Sequence, residues 1–248
     1  MRLVFAGTPD AAVPSLRALA ATAHDVALVV TRPDAPLGRK RILTPSPVAA
    51  AAAELGIPVL KTARLDADAS ERIAAASPDL GVIVAYGGLV REPLLSTPAH
   101  GWINLHFSLL PRWRGAAPVQ HALIAGDDEL GAAVFQLVPD LDAGDVFAQR
   151  PHPTAAQVTA GEALTLLADD GADLLQGVVD AIADGSAQAV PQKGTPTLAP
   201  KLSIADGLLD LTRSSAEVLA RWRGTTPEPG AHTTIDGARL KVLVARPH

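Results

Sequence analysis

The alternation of strand and helix that decides the fold begins with RLVFAGTPD at residues 2–10. Residues 2–6 are apolar after the first position, which is typical of a strand covered on both faces of a sheet. Thr8 precedes a proline and an acidic residue, so we predict a helix over 10–21 with Thr8 as its N-cap. Strands and helices that alternate in this way indicate an α/β fold, in which helices cover both faces of a Rossmann-like, mostly parallel twisted sheet.

The alternation continues from residue 25 to residue 183. Residues 81–85 (GVIVA) are continuously apolar, as expected of a central parallel strand. The Pro-, Gly- and Arg-rich stretch at 32–44 is typical of a loop, and the last two strands are expected to pair antiparallel. The predicted strands are 25–31, 57–60, 79–86, 101–105, 131–138 and 146–152, and the predicted helices are 46–55, 66–76, 116–125 and 159–183.

The last quarter of the chain differs in composition from the rest. Residues 186–203 are rich in Pro, Gly, Thr, Gln and Lys, which is typical of a linker. The residues that remain after it are too few for an independent hydrophobic core without further staples. We therefore predict a main domain at 1–185, a linker at 186–203 and a tail at 204–248 that contains a helix at 214–223 and strands at 231–235 and 239–245.

The composition narrows the classes of function. Of the 248 residues, 48% are hydrophobic and 19% are charged, which excludes a mostly disordered chain. The lack of cysteine excludes disulfides, thiolate catalysis and Cys-ligated metal centres. The net charge is −5, with −7 up to residue 200 and +2 after it, so only the tail is biased toward a polyanion. The chain has neither a signal peptide nor an apolar run of about 18 residues, so we expect a cytoplasmic protein without a membrane span.

The turns of the predicted sheet lack two common phosphate-binding motifs. Neither G-x-G-x-x-G nor G-x-x-x-x-G-K-[ST] occurs, and the first strand is followed by GTPD at 7–10. A dinucleotide-dependent dehydrogenase and a P-loop NTPase are therefore disfavoured, although the predicted fold would suit either of them.

The strongest candidate site lies at the end of the strand predicted at 101–105. Asn104 and His106 are two residues apart, so their side chains point the same way from the strand end, where α/β sheets bind ligands. An amide can donate to a developing oxyanion while an imidazole moves a proton. A carboxylate in the hairpin that follows could orient His106, and chemistry alone leaves Asp142 and Asp145 as alternatives. The competing interpretation is an ordinary strand end and hairpin turn.

A longer pattern built on these residues resembles the active-site signature of the folate-dependent formyltransferases. It consists of N-x-H-x-SLLP at 104–111 and D-x-G at 142–144. The resemblance extends from residue 1 to about residue 245 and implies the formyltransferase fold, with the catalytic domain at 1–185. The stretches that resemble the members of this family acting on methionyl-tRNA are FAGTPD at 5–10, RPD at 32–34, GR at 38–39, PSPV at 45–48 and PRWRGAAPVQ at 111–120.

The resemblance implies that a monomer transfers a formyl group from 10-formyltetrahydrofolate to the α-amine of methionine on initiator tRNA, without a metal. Asn104 would hold the oxyanion of the tetrahedral intermediate, and His106 would act as acid and base. Asp142 would orient the imidazole. The residues implied in folate binding are Ser108, Leu109, Leu110 and Pro111, with residues 84–90 near the pterin.

Two further regions bear on the RNA. The loop at 32–44 has a net charge of +3. The resemblance implies that Arg39, Lys40 and Arg41 contact tRNA phosphates there, and a solvated loop is the alternative. The tail at 204–248 resembles only the first helix and the first two strands of the family's oligonucleotide-binding (OB-like) β-barrel, so we expect an incomplete barrel.

Two other functions remain compatible with the sequence. The same folate chemistry could formylate an amino-sugar nucleotide or another small amine, which an incomplete barrel would permit. The basic loop and RWRGAAP at 112–118 weigh against that acceptor. A remnant that binds folate without catalysis is the other possibility, and the presence of Asn104, His106 and Asp142 together weighs against it.

Overall fold

The structure, a computed structural model, describes residues 1–38 and 40–246. Arg39, one of the predicted tRNA contacts, lies outside these residues. The described residues fall into two compact units. The first unit contains 1–106, 133–149 and 168–192, and the second contains 107–132, 150–167 and the described residues from 193 onward.

The strands of the described residues form one seven-stranded sheet and two hairpins. Each strand predicted from the sequence is present, with its ends shifted by up to four residues. In chain order the strands are β1 (Arg2–Gly7), β2 (Asp25–Thr31), β3 (Ala35–Leu37), β4 (Ile42–Thr44), β5 (Val59–Lys61), β6 (Leu80–Val84), β7 (Trp102–His106), β8 (Glu129–Gln136), β9 (Val146–Pro153), β10 (His232–Ile235) and β11 (Ala238–Lys241).

The seven-stranded sheet has the order β5-β2-β1-β6-β7-β8-β9. The pairs β1–β2, β1–β6, β2–β5 and β6–β7 are parallel, whereas β7 and β8 are antiparallel. The predicted mostly parallel sheet is therefore confirmed. The strand order reverses between β1 and β6, and open α/β sheets bind their ligands at the carboxyl ends of the strands beside such a switch point.

Several of the helices begin where the sequence offers a cap. The hydroxyl of Ser46 accepts a hydrogen bond from Ala49 N, and Ser214 and Glu217 form a reciprocal capping box. These caps pair backbone N–H groups that the first turn of a helix leaves without partners. In chain order the helices are α1 (Val13–Ala20), α2 (Pro47–Glu54), α3 (Ala67–Ala75), α4 (Pro118–Ala125), α5 (Ala160–Asp184) and α6 (Ser215–Gly224).

Two local predictions are wrong, both in the segments that follow β1 and β2. Thr8 does not cap the first helix, which begins as a 3₁₀ turn before α1. Its hydroxyl instead donates to the carbonyl of Tyr86, 3.2 Å away. The segment 32–44 is more than a loop, because it contains the antiparallel β3–β4 hairpin. Gly38 and Arg41 reverse the chain there with left-handed φ values of 68° and 49°.

The second unit is built around close helix packing. A Cβ on Gly224 of α6 would lie 2.6 Å from the carbonyl oxygen of Gln120 on α4. The backbones of the two helices are therefore in direct contact, with no room for a side chain between them. In the same unit, Arg114 N donates to the carbonyl of Thr197 and Ala199 N donates to the carbonyl of Arg114, and β10 pairs antiparallel with β11. None of the described helices is both long and apolar enough to cross a bilayer.

Candidate active site

The strand β7 presents Asn104 and His106 on one side of the sheet at its carboxyl end. The register with β8 sets Asn104 opposite Phe135 and His106 opposite Ala133. The rings of His106 and Phe135 meet edge to face, with 6.3 Å between their centres. The imidazole is buried, with 6% of His106 exposed. The predicted pair is therefore held on a rigid strand.

Asp142 is the carboxylate that lies beside His106. Its Oδ2 atom is 3.8 Å from Nδ1 of His106, and 12% of its side chain is exposed. Asp145 is exposed, and its carbonyl oxygen accepts a strand-type hydrogen bond from Gln136 N at 2.8 Å. Asp142 also adopts a left-handed φ of 45°, a costly conformation for a residue with a Cβ, and such residues concentrate at functional sites. Position therefore favours Asp142 over Asp145 as the partner of the imidazole.

Asn104 offers an acceptor to a ligand as well as a donor. Its Oδ1 atom is buried, and no group within residues 1–38 and 40–246 donates a hydrogen bond to it. Buried polar atoms in native proteins are nearly always paired, so an unpaired amide oxygen beside an imidazole points to a donor that a ligand brings. An attacking amine carries such a donor.

A second feature of this edge of the sheet is Tyr86, the sole tyrosine of the chain. The hydrogen bond from Thr8 to its carbonyl joins the segments after β1 and β6 at the switch point. The side chain is 1% exposed, and its hydroxyl has no partner among the residues described. Burial raises the pKa of the Tyr86 phenol, and the Arg32 guanidinium opposes that rise. Tyr86 lies within residues 84–90, which the resemblance to the formyltransferases places near the pterin, but no role was predicted for its side chain. A lone tyrosine directly after an apolar strand was the available signal.

The four residues predicted to bind folate begin the second unit. The hydroxyl of Ser108 donates to a main-chain carbonyl four residues later, 2.6 Å away, so it shapes the turn of its own segment. Leu110 and Pro111 are buried. Within the same unit, Ser108 and Leu109 line a cavity of about 400 Å³ together with aromatic and acidic side chains. Folate binding by these four residues stays a prediction.

Positive charge is concentrated at the turn of the β3–β4 hairpin. Lys40 and Arg41 lie there and are exposed. At the base of the hairpin, Lys61 forms an ion pair with Asp34 at 2.6 Å, and the Arg32 guanidinium donates to the carbonyl of Ala63. The hairpin is thus anchored at its base while its tip faces solvent. Across the described part of the chain, no cluster of three His, Asp or Glu side chains is arranged to hold a metal ion.

Known families match the chain over most of its length. Residues 1–179 match the family described as formyl transferase, and residues 201–248 match the formyl transferase C-terminal domain. The methionyl-tRNA formyltransferase of Clavibacter sepedonicus is 67% identical over 242 residues, which cover 98% of this chain and 79% of that protein. The chain belongs to the methionyl-tRNA formyltransferase family. Another member of the methionyl-tRNA formyltransferase family, from Streptomyces coelicolor, is 52% identical over 250 residues, or 100% of this chain and 81% of its own.

Solved structures of more distant formyltransferases share the fold of this chain. The N-formyltransferase of Helicobacter canadensis, solved with folinic acid and dTDP-3-aminofucose, superposes with a TM-score of 0.74 at 16% identity, over 97% of this chain and 86% of that chain. Glycinamide ribonucleotide transformylase 1 of Symbiobacterium toebii gives 0.65 at 19% identity, over 77% and 94% of the two chains. The predicted α/β formyltransferase fold is therefore confirmed.

Proposed function

We propose that this chain transfers the formyl group of 10-formyltetrahydrofolate to the α-amine of the methionine esterified to initiator tRNA. The observation that carries the proposal is the trio of Asn104, His106 and Asp142 at the carboxyl end of a central strand, with its buried and unpaired amide oxygen. Identities of 66–67% to methionyl-tRNA formyltransferases over nearly the whole chain favour this acceptor over an amino sugar.

Formyl transfer to an amine requires a donor for the developing oxyanion and a carrier for one proton. The amine nitrogen forms a bond to the formyl carbon, and negative charge gathers on the formyl oxygen, where the Asn104 amide N–H donates. The Asn104 Oδ1 atom accepts a hydrogen bond from the same amine. This hydrogen bond directs the lone pair of the amine nitrogen at the formyl carbon. The bond from this carbon to N10 of the folate then breaks, and the proton lost by the amine ends on N10.

His106 carries that proton between the two nitrogens. The Asp142 carboxylate on its Nδ1 side fixes the orientation of the ring. The separation of 3.8 Å exceeds hydrogen-bond length. Catalytic contacts are often long without substrate and shorten when it binds, so this distance is compatible with the proposed roles.

We propose that residues other than Asn104, His106 and Asp142 bind the tRNA and the folate. The positive charge of Arg39, Lys40 and Arg41 would bind tRNA phosphates, and residues 108–111 would contact the folate. We also propose that residues 1–185 form the catalytic domain, 186–203 the linker and 204–248 an OB-like piece, in a monomer that acts in the cytoplasm.

One assay tests the acceptor. The purified chain is given 10-formyltetrahydrofolate with either methionyl initiator tRNA or an amino-sugar nucleotide, and the formylated product is measured. We expect formylation of the methionyl-tRNA alone. Formylation of the sugar nucleotide alone would replace the proposed acceptor, and formylation of neither would contradict the proposed function.

A further inference from the structure

The turn that carries Asp142 is tied to a segment predicted as linker from its composition. Gln192 lies in that segment and is half-buried. Its Nε2 atom donates to the carbonyl oxygen of Asp142 at 2.8 Å and to that of Gly144 at 2.9 Å. Both partners can only accept, so the NH₂ group of the amide must face the turn. One side chain therefore bridges both ends of the Asp142–Gly144 turn.

A short β-bridge brings Gln192 to this turn. Val146 and Val190 exchange two backbone hydrogen bonds, at 2.8 and 2.9 Å. Val146 begins β9 directly after the turn, and Gln192 follows Val190 by two residues, across a proline whose ring restricts the backbone. The bridge thus holds the segment beside the turn before the amide adds its own hydrogen bonds.

The opposite side of the turn is closed by β8. A Cβ on Gly144 would lie 1.7 Å from the carbonyl oxygen of Gln136. The backbone of the turn therefore packs directly against the backbone of β8, with no room for a side chain. Gln136 N also donates to the carbonyl of Asp145 at 2.8 Å. These contacts fix the end of the turn. They leave Asp142 itself in a left-handed conformation, which persists only when its surroundings hold it.

We infer that Gln192 is a positioning residue for the reaction proposed above, and this role presupposes that function. The amide stabilises the left-handed conformation of Asp142 by binding the carbonyl group of Asp142 itself and that of Gly144, two residues later. That conformation directs the Asp142 carboxylate to Nδ1 of His106. Gln192 therefore acts through Asp142, and its loss lets the turn relax and the carboxylate move away from the imidazole.

The test compares steady-state formylation of methionyl-tRNA by the wild type and by variants of the full chain. We expect Gln192→Ala to lower kcat about tenfold or more, since misplacement of a catalytic group by about 1 Å can cost 10²-fold. The KM for the folate should stay within about twofold. Gln192→Glu keeps the shape of the side chain but removes both donors, so we expect it to lose as much as Gln192→Ala.

The matched control is Gln188→Ala, which removes an exposed glutamine four residues earlier in the same segment and should leave kcat and KM unchanged. The decisive comparison uses the Asp142→Ala background. If Gln192 acts through Asp142, adding Gln192→Ala to that variant should change kcat by less than about twofold. A full additional loss in that background, an unchanged kcat in Gln192→Ala, or an effect on KM alone would overturn the role.

A spectroscopic readout keeps this test separate from the proposed function. In protein labelled with ¹⁵N histidine, the imidazole signals of His106 are assigned by their absence in His106→Asn. Asp142→Asn and Gln192→Ala should both displace these signals, and Gln188→Ala should not. If the wild type fails to formylate methionyl-tRNA, the proposed function falls, yet these spectra still decide the positioning role. Signals of His106 that stay in place in Gln192→Ala would overturn it.

Discussion

At the scale of single residues, Asp142 and Asp145 are the same residue type in the same turn, but only Asp142 lies beside the imidazole of His106. Asp142 lies 3.8 Å from the imidazole, whereas Asp145 is exposed. We expect Asp142→Ala to lower kcat by about 10²-fold or more, because Asp142 orients the imidazole that carries the proton, and proton transfer by a positioned group contributes that much. Asp145→Ala should stay within about threefold of the wild type. Equal losses in the two variants, measured by initial rates at saturating substrates, would show that the choice of carboxylate is wrong.

At the scale of a strand, β6 needs a glycine where β7 places its largest side chain. A Cβ on Gly81 would lie 2.1 Å from the ring of Trp102, which is fully buried and donates its indole N–H to the carbonyl of Leu94. Gly81→Ala should therefore lower the free energy of unfolding by about 1–3 kcal/mol, as overpacking does. Gly177→Ala is the control, because this exposed glycine of α5 has open space at its Cβ position.

Urea unfolding of the two glycine variants measures the difference. Alanine is favoured over glycine inside a helix by about 0.5–1 kcal/mol, so Gly177→Ala should raise the free energy of unfolding by roughly that amount. A Gly81→Ala protein as stable as the wild type would mean that the indole can move aside without cost.

The β3–β4 hairpin carries the positive charge that we propose binds the RNA. Lys40 and Arg41 are exposed at its turn, so they are available to phosphates. We expect Lys40→Ala and Arg41→Ala each to weaken tRNA binding and to reduce the slope of log affinity against log salt by about 1. Arg72→Ala, on the exposed face of α3, is the control and should change neither quantity. An unchanged slope in both hairpin variants would place the phosphate contacts elsewhere.

At the scale of the whole molecule, capping carboxylates couple stability to pH. Hydrogen bonds from Thr159 hold the pKa of Glu162 below its ordinary value, and those from Ser214 do the same for Glu217. Because these groups have a lower pKa in the folded protein than in the unfolded chain, their contribution is complete above about pH 5 and is lost as the pH falls through their folded pKa values. The urea midpoint should therefore fall between pH 5 and pH 3. In Glu217→Gln, the urea midpoint should fall less steeply with pH. The same pH dependence in this variant and in the wild type would contradict a contribution from Glu217.

Local information in the sequence was sufficient for the α/β architecture, and the resemblance to the formyltransferases supplied the reaction class. Apolar runs predicted the parallel strands, the alanine-rich run at 46–55 predicted α2, and the spacing of Asn104 and His106 predicted two side chains on one side of a strand end. These features depend on residues that are neighbours in the chain, so periodicity and local composition record them. The β3–β4 hairpin escaped prediction, because its turn needs a left-handed Arg41, which the residue type does not favour.

The tertiary structure decided which distant groups meet. It placed Asp142, and not Asp145, beside the imidazole of His106, and it paired the Thr8 hydroxyl with the carbonyl of Tyr86. It also brought Gln192, from a segment whose composition suggested only a linker, to the turn that carries Asp142. Gln192 and Asp142 are 50 residues apart in the chain. No local pattern encodes such a meeting, because it arises from the order of strands in the sheet and from the pairing of buried polar groups as the chain packs.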